Sequence, residues 1–411
     1  MVKVFIVTGR GTKGGHNRSA KIIAVELNKR GYDVHIVAGG SIDIYDNVNI
    51  PIKKLTTKFY GSHFFSFKTF LEFYNYAKYH KPEIIHAFDA EGLIISYIYS
   101  IINKVKLLYT ICGGVVSNRF HYINMKPVIV FSEEQKYGAD IKGYINKKNI
   151  IVCPGRIDLN FNVIENKKYE YYKNLFSINN SNAIVLMINR IHINKYKSLN
   201  YFVELANHFV NQEKVQFLNI GMIQNKNLME VVSRKVDMIN KNAGFNLINF
   251  TEEGSDEARR YLPIADIVVA CGRTAYEAMS KGKPTLIMGE YGFAGLAYGE
   301  LCREHAKYNF SGRNIKDDVD ATQSIKEAKN IILKLLNNKE FYRKVSEYSE
   351  VWVNNNVDVR CSGETYDYLY KKSNKFIYPN ITNMAMVYLY HTLKKYYYMI
   401  KYYFSNINRI N

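Results

Sequence analysis

The feature that most limits what this chain can fold into is a rhythm of short, continuously apolar runs separated by amphipathic stretches. It fills residues 1–153 and starts again at residue 183. In the first series, residues 2–8, 34–38, 83–87, 106–112, 128–131 and 150–153 read as strands. None alternates apolar with polar residues, so each expects cover on both faces, the condition of a parallel sheet wrapped by helices. Helices are expected at 15–30, 65–79 and 91–103, with another opening at 132–134. In the first of them Ala20, Ile23, Ala24 and Leu27 share one face. The second series offers strands at 183–188, 215–220, 245–250, 266–270 and 285–288. It also has a helix carrying Leu199, Phe202, Val203, Ala206 and Phe209 at helical spacing.

The rhythm divides the chain. We assign a first α/β domain to 1–160, a polar, Asn- and Tyr-rich linker to 161–182 and a second α/β domain to 183–372. The 411 residues agree, because ~150 residues per domain gives two or three. Both domains read as doubly wound and Rossmann-like. Such sheets take ligands beyond the carboxyl ends of their strands, so the expected site is a central cleft that the two domains face. Residues 331–372 look wholly helical. The last segment, 373–411, carries Lys375, Lys394, Lys395, Lys401 and Arg409 and no acid. A helical stripe through Leu389, Leu393, Tyr397, Ile400 and Phe404 would suit an anionic membrane surface, and equally a helix packed on the protein itself or a frayed tail.

Composition sets the class of partner. With 47% hydrophobic residues the chain is globular, and 56 Lys+Arg against 37 Asp+Glu leave it at +19. A surplus of that sign favours something anionic, although a bias towards Lys, Asn, Ile and Tyr throughout accounts for part of it. No aromatic RNP-like motif accompanies the charge, so nucleic acid is not expected as a partner. The five cysteines, Cys112, Cys153, Cys271, Cys302 and Cys361, are scattered and show no CxxC spacing, which argues against a disulfide framework and a thiolate zinc site. The chain opens into a strand rather than a signal peptide. Its most apolar run, 92–102, is shorter than the ~20 residues a bilayer crossing needs. The expected location is the cytoplasm, peripheral on the inner face of the cell membrane if the tail engages it.

Two loops carry chemistry. The first strand runs into Gly9-Arg10-Gly11-Thr12-Lys13-Gly14-Gly15, formally a GxGxxG. A dinucleotide site would add an acid ~20 residues on, at the end of the second strand, where Ala38-Gly39-Gly40-Ser41 stands instead. His16 occupies the place where a phosphate-binding Walker loop would continue with lysine and a hydroxyl. What remains is a loop that offers backbone N–H groups and a helix N-terminus to an anion or a sugar. In the second domain Arg190 follows the first strand and Lys195 comes five positions later. This is either a solvated pair or a clamp for a leaving diphosphate. Strand 266–270 then ends in Cys271-Gly272-Arg273-Thr274-Ala275-Tyr276-Glu277. Gly272 allows close backbone approach, Thr274 is placed to cap the helix, and Arg273 adds a third cation. Glu277 either accepts two ribose hydroxyls or is a favourable charge near a helix N-terminus.

Taken in order, these phrases resemble the retaining GT-B glycosyltransferases of the large glycosyltransferase group 1 family. The resemblance rests on Asn189-Arg190 with Lys195, Ala265-Asp266-Ile267-Val268-Val269, and Glu277-Ala278-Met279-Ser280 before Gly282-Lys283-Pro284. The first half adds Gly14-Gly15 with Arg18, Leu27 before Arg30-Gly31-Tyr32-Asp33-Val34, Pro82-Glu83-Ile84-Ile85-His86, Ser132-Glu133, and Pro154-Gly155 with Asp158 and Phe161. It spans about residues 2–372.

The resemblance implies a GT-B fold and transfer of a sugar from a nucleoside diphosphate donor to a polysaccharide or lipid-linked acceptor in envelope glycan synthesis, with retention. It implies that Arg190 and Lys195 bind the diphosphate, Glu277 the ribose, and Gly14 and Gly15 the region between diphosphate and acceptor. Arg18 would serve the acceptor and His86 the transferred sugar. No cofactor, metal or protein nucleophile is implied, since the leaving phosphate oxygen helps deprotonate the acceptor hydroxyl. Asp318-Val319-Asp320 spells a DxD but sits at the head of a late helix, where capping explains it. The chain departs from the family in three places. Val269 stands where a glutamate precedes Glu277 by eight positions, the loop after it is shortened around Gly272-Arg273-Thr274, and Gly155-Arg156 replaces Asn-Gly. These features mark a divergent branch. They leave open a sugar-nucleotide epimerase or hydrolase on the same fold, or a noncatalytic glycosyltransferase-like subunit of a membrane assembly.

Overall fold

A computed structural model describes residues 1–11, 15–40, 42–56, 67–112, 127–141, 147–212, 214–315 and 320–372. They form two compact units, one of the described residues up to Arg156 together with 359–372, the other of those within Ile157–Asp358.

The first unit is built on seven parallel strands in the order β3-β2-β1-β4-β5-β6-β7. These are β1 (Lys3–Gly11), β2 (Asp33–Gly40), β3 (Ile52–Leu55), β4 (Ile84–Ala87), β5 (Lys106–Ile111), β6 (Val128–Val130) and β7 (Ile150–Val152). β1 is central, with Val4 paired to Val34 on one side and Ile84 on the other, and Val4 through Val7 are wholly buried. That is why the run is apolar without alternation. Helices α1 (Gly15–Lys29), α2 (Phe67–His80), α3 (Ala90–Asn103) and α4 (Glu133–Ile141) connect the strands. The face of α1 legible in the sequence, Ala20, Ile23, Ala24 and Leu27, has no solvent exposure.

The second unit is a six-stranded sheet in the order β10-β9-β8-β11-β12-β13. Its strands are β8 (Ala183–Ile188), β9 (Val215–Ile220), β10 (Ile248–Thr251), β11 (Ile267–Ala270), β12 (Thr285–Gly289) and β13 (Gly292–Leu296). All pairs are parallel except β12 with β13. α5 (Tyr169–Leu175), α6 (Tyr196–Asn207), α7 (Lys226–Ala243), α8 (Arg273–Met279), α9 (Gly299–Lys307), α10 (Ala321–Asn337) and α11 (Lys339–Asn356) complete it.

Three features differ from the sequence reading. Residues 161–182, assigned as a linker, belong to the second unit, because Phe161, Ile164, Phe176 and Ile178 are buried in its core. The helical stretch 331–372 is three elements. The Asn338 side chain caps α11 by accepting the Phe341 N–H at 2.9 Å, and the chain leaves the unit at Asp358.

The last helix, α12 (Val359–Lys372), packs on the first unit rather than the second. Val359, Tyr366, Leu369 and Tyr370 complete the apolar cluster formed by α1, β1 and β2. Tyr32 donates to Asp367 at 2.6 Å, and the Arg30 guanidinium donates to the Arg360 carbonyl at 2.9 Å across Gly363, where a side chain would collide with it. The basic aromatic segment 373–411 lies outside the described residues, as do Gly14 and residues 316–319.

Candidate functional site

Each sheet reverses its strand order once, between β1 and β4 in the first unit and between β8 and β11 in the second. At such a reversal the connections leave in opposite directions and open a crevice at the carboxyl edge, where doubly wound sheets bind ligands.

At the second reversal, β8 ends in Asn189-Arg190 and turns through a short 3-10 segment, Ile193–Lys195, into α6. His192 steadies the turn, its Nδ1 accepting the Asn194 N–H at 3.1 Å. Lys195, half-buried, reaches across the reversal to Cys271, with Nζ 3.7 Å from Sγ directly after β11. Arg190 is exposed and turns the other way, donating to Gln224 Oε1 at 3.3 Å beyond β9. The two cations thus stand at one sheet edge but lean towards opposite neighbours of β8. Gly221, the first residue after β9, abuts the Asn189 carbonyl so closely that any side chain there would strike it.

β11 continues into Gly272, which has φ +63° and ψ −129°, a conformation closed to other residues at low cost, and donates its N–H to the Phe310 carbonyl at 2.6 Å. Gly272, rather than a hydroxyl residue, is the N-cap of α8. Thr274 sits inside the first turn and makes no cap, correcting the sequence expectation. Glu277, with only 3% of its surface exposed, is held by two guanidinium groups. Arg273 Nε donates to Oε1 at 2.9 Å from one turn earlier, and Arg259 approaches the same oxygen at 3.7 Å. Arg259 lies in the 3-10 segment Ser255–Ile264 and rests over the Phe161 ring at 4.8 Å. Arg273, read as a free third cation, is therefore paired with the carboxylate read as a ribose ligand. Arg259 and Gln224 had no signal in the sequence, because neither belongs to a motif and their relevance arises only from where the chain folds back.

Gly15 begins α1, its carbonyl accepting the Ser19 hydroxyl at 2.9 Å, and Arg18 lies partly buried one turn on. Gly9, first of the formal GxGxxG, is a packing glycine, since a side chain there would strike Glu91 at the start of α3. Its N–H donates to both carboxylate oxygens of Asp89 at 2.8 Å, and Asp89 caps α3 through the Gly92 N–H at 2.6 Å. Burial first, and the neighbouring Glu91 second, raise the carboxyl of Asp89 above its usual range.

His86 requires a correction. It lies inside β4 with no exposed surface, Nδ1 2.8 Å from the Tyr370 hydroxyl on α12 and Nε2 2.7 Å from Thr110 Oγ1 on β5. Burial lowers its pKa to about 3. It is a neutral core histidine with both nitrogens engaged, not a group offered to a sugar. Of the DxD, Asp320 caps α10, accepting the Thr322 N–H at 2.8 Å. Among the described residues no three His, Cys, Asp or Glu side chains are grouped to hold a metal ion, and no helix is long and apolar enough to cross a membrane.

No family model and no curated protein matches the chain. Solved structures match its fold. HepE of Anabaena, solved with UDP and glucose, aligns with a TM-score of 0.68 at 13% identity over 90% of this chain and 100% of its own. A glycosyltransferase of Rickettsia africae aligns at 0.68 with 16% identity, over 91% and 99%. A candidate UDP-N-acetylglucosamine 2-epimerase of Listeria monocytogenes aligns at 0.61 with 16% identity, over 92% and 98%. At such identities the likeness establishes the fold. It is the GT-B arrangement of two successive Rossmann-like sheets.

Proposed function

We propose that this chain is a glycosyltransferase that takes its sugar from a nucleoside diphosphate donor held at the carboxyl edge of the second unit's sheet. The observation that carries the reading is the reversal between β8 and β11. Arg190 and Lys195 leave one strand there, Gly272 and Arg273 leave the next, and Lys195 Nζ lies 3.7 Å from Cys271 Sγ. HepE, with the same fold, was solved with UDP-glucose and with UDP and glucose.

In this reading Arg190 and Lys195 neutralise the diphosphate as its bond to the sugar breaks, an electrostatic contribution that grows as charge develops. A ribose that reaches Glu277 displaces Arg273 from the carboxylate, and the released guanidinium turns to the phosphates. Gly14 and Gly15 lie by the donor diphosphate, and Arg18 serves the acceptor, a glycan or lipid-linked chain. The reaction proceeds with retention and without a metal. The protein works in the cytoplasm, with residues 373–411 drawing it to an anionic membrane surface.

The test is calorimetry with UDP, GDP and ADP, followed by transfer assays over a panel of nucleotide sugars. Arg190→Ala and Lys195→Ala should each weaken nucleotide binding by about 1.5–3 kcal/mol and lower turnover roughly 10²–10³-fold. Full turnover in both variants refutes the assignment. A second reading, epimerisation or hydrolysis of the sugar nucleotide, is favoured by the Listeria likeness. Free nucleoside diphosphate appearing with a 2-epimerised sugar, and without any acceptor, would select it.

A further inference from the structure

Away from the strand-edge site, the second unit has a cavity of about 460 Å³ between α9 and α11. It falls within the ~300–1,000 Å³ range of small-ligand sites. Arg303 and Ala306 of α9 line it, with Tyr348, Val351, Trp352, Asn355 and Asn356 of α11. Its wall is rigid. Tyr348 donates its hydroxyl to the Gly299 carbonyl at 3.0 Å, tying the two helices together. The indole of Trp352 is braced from behind by Tyr276, parallel to within 4° at 6.5 Å, and by Phe310 at 5.4 Å.

The polar groups here are left over. Among the described residues the exposed Arg303 guanidinium makes no hydrogen bond or ion pair, and the Trp352 indole N–H has no acceptor. Asn356 spends its amide N–H on the Trp352 carbonyl at 2.8 Å and keeps its side-chain oxygen. An aromatic wall flanked by a guanidinium and side-chain amides matches the two sides of a sugar, an apolar C–H face and a rim of hydroxyls. The single guanidinium selects one that bears an anionic group.

We propose that this cavity is a second binding site, for a saccharide ring carrying one carboxylate or phosphate group. The proposal does not rest on the donor reading and stands whether or not that reading holds.

The chain contains a single tryptophan, so its intrinsic emission reports this wall. The test titrates the full chain with glucuronate and N-acetylneuraminate as carboxylated probes, glucose 1-phosphate as a phosphorylated one, and glucose as the neutral control. At least one acidic sugar should change the emission saturably, with a midpoint at least about tenfold below that of glucose. Arg303→Ala should raise the midpoint about tenfold or more, and Arg303→Lys should recover part of the loss. Because Arg303 has no partner to lose, the alanine variant should keep the wild-type urea midpoint. Which arm responds tells carboxylate from phosphate. No saturable change with any acidic sugar, equal binding of glucose, or an unchanged midpoint in Arg303→Ala overturns the proposal.

Discussion

Replacing His86 with glutamine should change how stability depends on pH, by an amount the structure sets. An unperturbed histidine titrates near 6.5, whereas His86, sealed between Tyr370 and Thr110, is depressed to about 3. Between those values the unfolded chain binds a proton that the native state refuses. Stability from this group is therefore complete above ~6.5 and declines by about 1.4 kcal/mol per pH unit below it. At pH 5 the deficit is about 2 kcal/mol. Glutamine can still face both hydroxyls but gains no proton, so its cost at pH 7 should be about 1–3 kcal/mol from imperfect hydrogen bonds. Its further loss on going to pH 5 should then be about 2 kcal/mol smaller than the wild type's.

Urea unfolding of both proteins at pH 7 and pH 5, followed by far-UV circular dichroism, gives that difference, and other titrating groups cancel in it. Tryptophan emission, which arises in the second unit, separates that unit's transition. Equal pH decrements in the two proteins refute the buried neutral assignment. A hundredfold fall in turnover at unchanged stability would return His86 to the active site.

Glu277→Gln should cost about 3–5 kcal/mol, because Arg273 and Arg259, with side chains 13% and 18% exposed, lose their shared counter-charge. A loss under about 1 kcal/mol, read from the urea midpoint of tryptophan emission, would mean that both guanidiniums relax into water. Gly221→Ala forces a methyl group against the Asn189 carbonyl and should destabilise the second unit by about 1–3 kcal/mol. Wild-type stability would show that the edge after β8 yields freely. Ending the chain after Asp358 removes Val359, Tyr366, Leu369 and Tyr370 from the first unit's core and leaves His86 Nδ1 without its partner. That truncation should abolish cooperative unfolding of the first unit while tryptophan emission still reports a folded second unit, and two intact transitions would contradict it.

Much of the fold was legible because buried parallel strands must be apolar on both faces. β8 and β9 coincide with the runs read from the sequence, and α1 buries the four residues its periodicity named. β3 was missed. It is four residues, Ile52-Lys53-Lys54-Leu55, at the sheet's edge, where lysines are tolerated. β13 was missed because Gly292-Phe293-Ala294-Gly295-Leu296 bends at two positive-φ glycines and pairs antiparallel. At the candidate site, the order of Arg190, Lys195, Gly272, Arg273 and Glu277 along the chain already placed them after β8 and β11. Pairing those strands as neighbours brought them to one edge.

The sequence by itself determined the succession of strands and helices, the faces they bury, and the residues that follow each strand. Those properties are written in the local spacing of apolar side chains and need no knowledge of what lies opposite. The tertiary structure decided the partners. It sent α12 back to the first unit, closed both nitrogens of His86 with hydroxyls 24 and 284 residues away, and set Arg259 and Arg273 on one buried carboxylate. Periodicity states that a side chain is inside, whereas protonation, pairing and availability to a ligand depend on which groups the chain returns to place beside it.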